Sequence, residues 1–169
     1  MKYFVLSAVI ALGFISCQEN DSSPSDFTGK EATYALAQGS EYAVQGTVTF
    51  KEKIDGSTLV VLQLEGTEGD LQHPVHLHLG AIGTPDAAIA AQLHPVAGST
   101  GKSETLLVEL ADESKISYSE IIALDACVKV HLAASGPDKD IILAGGNIGK
   151  AFANDGAMGR LGFGTCKSE

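Results

Sequence analysis

The sequence predicts an all-β domain, a sandwich or barrel of seven or eight antiparallel strands. Apolar and polar residues alternate in short runs, as on half-buried strands. Glycine is frequent, 19 in 169 residues, and much of it punctuates those runs. Hydrophobic residues make up 44%, enough to bury a core, and the length suits one domain.

Val44, Gly46, Val48 and Phe50 alternate with Gln45, Thr47, Thr49 and Lys51, which marks the first strand. Asp55-Gly56 is a hairpin turn pair, and residues 59–64 form the strand that returns from it. Gly66 and Gly69 end that run. Further strands are expected over residues 74–79, 103–110, 126–132, 140–148 and 158–166. Ser117 and Glu120 make a capping box ahead of Ile121, Ile122 and Leu124, so a short helix starts there. Thr84-Pro85-Asp86 precedes AAIAAQL (87–93), which reads as a second short helix or as an extended run.

The first sixteen residues belong to no fold. Lys2 is followed by an almost wholly apolar run from Tyr3 to Ile15, too short for a membrane span and shaped like an export leader. Phe14-Ile15-Ser16-Cys17 resembles a bacterial lipobox, which implies that Cys17 becomes the lipidated first residue of an exported, membrane-anchored lipoprotein of the cell envelope. Residues 18–30 (QENDSSPSDFTGK) are polar and aperiodic, so residues 17–42 are read as lipidated cysteine plus flexible tether, and 43–169 as the domain.

Charge narrows the partners. With 21 acidic residues against 11 basic, the chain is −10, which excludes a nucleic-acid partner that would need a basic face. Losing Lys2 with the leader leaves 21 acidic against 10 basic, or −11. Residues 17–130 carry all of it (17 acidic, six basic), and residues 131–169 are balanced, four against four. Serine-nucleophile, phosphate-loop and dinucleotide motifs are absent.

The histidines carry the chemistry. His76 and His78 stand two apart on an expected strand, so both rings leave one face while Val75, Leu77 and Leu79 leave the other. Two imidazoles on one face form half a metal site, and a set made only of histidines suits copper. His94 and His131, the latter ending Val128-Lys129-Val130-His131, are the further candidates. His73 precedes Pro74, is out of phase with His76, and is left as a surface or supporting group.

Here a family resemblance enters. VQGTVTFKEKIDGSTLVVLQLEG followed by HPVHLHLG, then VKVHLA around His131 and Gly159-Arg160-Leu161-Gly162-Phe163-Gly164 near the end, resembles in order the elements of the copper/zinc superoxide dismutases. The resemblance implies a Greek-key β-barrel, one copper ion on His76, His78, His94 and His131, and superoxide as the substrate, alternately oxidised and reduced. It places Arg160 where that family attracts and orients the anion. Zinc is not implied: no histidine lies between His94 and His131, and Asp112, Glu113 and Asp125 alone make a poor zinc site. In the resembled fold the His131 strand lies beside the Arg160 strand, and that register sets Cys127 opposite Cys166, so a disulfide between them is expected. The run HLHLG and YSEIIALDACVKVHLAASGPDKDIILAGGNIG resembles bacterial chordin-like (CHRD) domains as well, which implies the same sandwich as a non-catalytic copper-binding or structural envelope module.

Overall fold

The computed structural model describes residues 25–158 and Phe163. Eight antiparallel strands close into a barrel: β1 (Phe27–Gln38), β2 (Gln45–Lys53), β3 (Thr58–Glu65), β4 (Gln72–Leu79), β5 (Ile89–Ala97), β6 (Lys102–Leu107), β7 (Asp125–His131) and β8 (Ile142–Ile148). A single helical turn, α1 (Tyr118–Ile121), precedes β7, and α2 (Gly149–Met158) follows β8. Around the barrel the order is β1-β2-β3-β6-β5-β4-β7-β8. The strands β4, β5 and β6 form a meander whose last member lies beside β3, so the chain makes a Greek key.

Period-two alternation decides what faces inward. Val48 and Phe50 of β2, Val60 and Leu62 of β3, Val75 and Leu77 of β4, and Val128 and Val130 of β7 are all 0–1% exposed and make one core. Each such side chain contributes about 1.5–3 kcal/mol when fully buried. The β2–β3 hairpin turns where the Asp-Gly pair predicts. Asp55 accepts from the Ser57 backbone N–H (3.0 Å), and Gly56 takes φ 86°, a value open to glycine. Ser117 and Glu120 form the predicted capping box, with the Ser117 N–H donating to Glu120 Oε2 at 2.8 Å.

Two expectations are corrected and one open alternative is decided. The stretch read as tether as far as residue 42 contains β1, which pairs with β2 from Phe27↔Lys53 to Leu36↔Gly46 and closes the barrel on β8 through Ala37↔Gly145. Its inward residues Ala32, Tyr34 and Leu36 do alternate, but Lys30 and Glu31 hide the period at its outer end. The run 87–93, left open between helix and extended, is extended: residues 89–93 belong to β5, which pairs with β4 along His76↔Gln92 and Leu77↔Ala91. Here a free sheet edge overrides the helix-favouring alanines. Residues 149–158, which follow the strand expected at 140–148 and include the first residue of the strand expected at 158–166, form α2. Both edges of β7 are occupied, by β4 and by β8, so β7 has no edge left for the strand expected to begin at Arg160. Cys17, Arg160 and Cys166 lie outside the described residues, and so does the expected disulfide's second half.

A candidate metal centre on the outer face of β4 and β7

Strands β4 and β7 run side by side with Val75↔Val130, Leu77↔Val128 and, alternating with these, His76↔Lys129 and His78↔Cys127. The first set fills the core, so the second faces outward. His131 is two residues beyond Lys129 and shares that outer face. The rings of His76, His78 and His131 thereby converge: centroids are 5.0 Å apart for His76–His131, 5.7 Å for His76–His78 and 6.3 Å for His78–His131. One nitrogen of each lies within 4.8 Å of the other two, and the three together can hold a metal ion.

Two loops aim the rings. His78 Nδ1 lies 2.8 Å from the Ala87 carbonyl, in the loop between β4 and β5. His131 Nδ1 lies 3.0 Å from the Lys139 carbonyl, in the loop between β7 and β8. A carbonyl can only accept, so both Nδ1 atoms carry the proton and both Nε2 atoms carry a bare lone pair. Those two Nε2 atoms are buried and have no hydrogen-bond partner among the described residues. A buried, unpaired acceptor costs free energy unless something fills it. Orientation of a ligand ring through its other nitrogen is the usual support of a histidine metal site.

The β4–β5 loop is itself pinned. The Ile82 N–H donates to Asn147 Oδ1 at 2.6 Å, and Asn147 Nδ2 donates to Asp155 of α2 at 2.5 Å. The Leu79 N–H donates to the Ala88 carbonyl at 2.9 Å, closing the loop's base. Gly145, opposite Lys129, leaves room for Ile82 and Phe163: a Cβ there would stand 2.9 Å from Ile82 Cδ1 and 3.1 Å from the Phe163 ring.

All three imidazoles are held neutral. Burial, then the neighbouring His131 charge, lowers His76 to about 4. Burial also lowers His78 and His131, against the opposing effect of their carbonyl hydrogen bonds, and in both the Lys129 charge adds to the lowering. Neutral imidazole is the form that binds metal.

Of the four expected ligands the structure brings together three. His94 is the exception: it is exposed on β5, its Nδ1 donates to the Glu104 carbonyl at 2.7 Å, and that bond turns the ring toward β6. His73, set aside in the sequence, is buried rather than at the surface, and its Nδ1 donates to the carbonyl of Leu132, next to His131. Two contributors went unread: the fully buried Lys129, signalled by a charge inside an apolar run, and the Asn147–Asp155 pair, which has no sequence signal. Comparison with protein-family models, curated proteins and solved structures finds no match for this chain.

Proposed function

We propose that the chain is an exported copper-binding module of the bacterial cell envelope that holds one copper ion on His76, His78 and His131. The observation that carries this is the pair of buried, partnerless Nε2 atoms of His78 and His131, aimed into the space that His76 shares. The chemistry of the donors supports copper: for a given nitrogen site, affinity among divalent first-row ions peaks at Cu²⁺, and imidazole suits copper in both oxidation states. The leader and Cys17 support the location, with lipid as the membrane partner.

A second reading, dismutation of superoxide, is favoured by one feature. His76 is only partly buried while His78 and His131 are sealed, so the site opens to small anions on the His76 side. Bound copper would supply one-electron oxidation and reduction there. The chain's own part is to hold three neutral lone pairs in place, and Arg160 is the candidate for drawing in the anion.

The test uses the full-length chain, freed of metal and titrated with copper. One copper per chain is expected, lost in His131→Ala and retained in His94→Ala. No copper retained, or equal loss in both variants, overturns the proposal. Superoxide decay measured on the same samples separates the readings: acceleration that falls in Arg160→Ala supports dismutation, and tight copper without acceleration leaves a binding module.

A further inference from the structure

We infer that His76 is the exchangeable ligand of the three: His78 and His131 hold a bound ion as a fixed pair, and an external nitrogen donor takes the place of His76 on the open side. The inference rests on the metal-binding reading above and gives unequal roles to ligands that the reading treats alike.

Two features fix His78 and His131, and His76 has neither. The first is a hydrogen bond behind the ring. His78 Nδ1 donates to the Ala87 carbonyl and His131 Nδ1 to the Lys139 carbonyl. Among the described residues, the His76 ring has its contacts with the other two ligand rings and no hydrogen bond. The second is a break in the strand pairing. Between Leu77↔Ala91 and His78↔Ile89 the register of β5 on β4 shifts, at Ala90. Between Val130↔Ala144 and His131↔Ile142 the register of β8 on β7 shifts in the same way, at Leu143. Irregularities of this kind re-aim the side chains beside them. His76 sits in unbroken ladder on both sides, opposite Gln92 of β5 and Lys129 of β7. Ladder pairing sets where its backbone lies and leaves the ring its choice of rotamers.

Burial divides the three ligands in the same way. His78 is 2% exposed and His131 4%, whereas His76 is partly exposed. A donor from solvent therefore reaches the site beside His76 and not behind the other two. In the exchange an external nitrogen lone pair replaces that of His76. One bond to the ion forms and one breaks, the ion keeps its oxidation state, and a neutral donor releases no proton. Nitrogen donors of the imidazole type suit copper.

The experiment uses the full-length chain, and its first readout needs no metal. Ring-nitrogen NMR of the metal-free protein above neutral pH is expected to show one tautomer, protonated at Nδ1, for His78 and for His131. His76 is expected to show the two-tautomer mixture of a solvated ring. The second readout is copper affinity by chelator competition, with and without free imidazole, in wild type, His76→Ala, His78→Ala and His131→Ala. His76→Ala is expected to keep one copper per chain at reduced affinity and to recover most of the loss when imidazole is added. His78→Ala and His131→Ala are expected to lose copper and to stay unrescued, because solvent does not reach the places they leave. Equal tautomer behaviour in all three rings, or imidazole rescue equal in all three variants, overturns the inference while the metal site stands. A folded His76→Ala that retains no copper even with imidazole overturns it too. A wild type that holds no copper overturns the metal reading, and this inference with it.

Discussion

His78 and His131 sit on adjacent strands with their Nε2 atoms turned into one buried space, and neither atom has a hydrogen-bond partner among the described residues. Each ring is locked from behind by a loop carbonyl, Ala87 for one and Lys139 for the other. The site is therefore built from two strands that set position and two loops that set tautomer.

Asn147 controls one of those loops. Asn147→Ala removes the acceptor of the buried Ile82 N–H and the partner of Asp155. The expected outcome is a stability loss of about 1–3 kcal/mol from the orphaned donor. A fall in copper affinity of roughly 10–100-fold should accompany it, because the Ala87 carbonyl loses its fixed place. Urea unfolding and competition titration check the two parts. A stability loss with unchanged affinity would mean that the loop holds His78 without Asn147.

The metal-free protein should weaken in mild acid. An unfolded histidine takes a proton near 6.5, whereas folded His76 resists until about 4. Between those values the unfolded state binds more protons, so stability falls as pH falls through that window. His78 and His131, lowered as well, act in the same sense. Melting temperatures at pH 7.5, 6 and 5 measure the slope, and His76→Gln should flatten it. A slope identical in that variant would remove His76 from the account.

The core beneath the site can be probed apart from the ligands. Leu77 lies between His76 and His78, 0% exposed and facing inward. Leu77→Ala is expected to cost about 2–5 kcal/mol, the range for a buried leucine that leaves a cavity. Copper stoichiometry measured below the melting temperature should remain that of wild type, since the backbone pairing of β4 holds both ligands. Loss of copper from the folded variant would show that core packing sets the ring positions.

Ser117→Ala serves as a distant control. It breaks the capping box of α1, with an expected loss of about 0.5–2 kcal/mol. Copper affinity should not move, and a change there would tie α1 to the site through β7.

The β class, the β2–β3 hairpin, the α1 cap and the shared face of His76 and His78 were legible in the sequence, because each depends on neighbours within a few residues. Alternation along one strand tells which side chains share a face. It does not tell which strand lies alongside. Only the Greek-key order, with β7 between β4 and β8, brought His131 to the histidine pair, left His94 turned toward β6 and took both edges that the Arg160 strand would have needed. The same pairing recruited β1 from an apparent tether and turned the alanine-rich run of β5 into strand, since a sheet edge supplies hydrogen bonds that local preference does not foresee. Lys129 shows the division within one residue. Its charge is plain in the sequence, and its burial beside three imidazoles follows from the pairing of strands far apart in the chain.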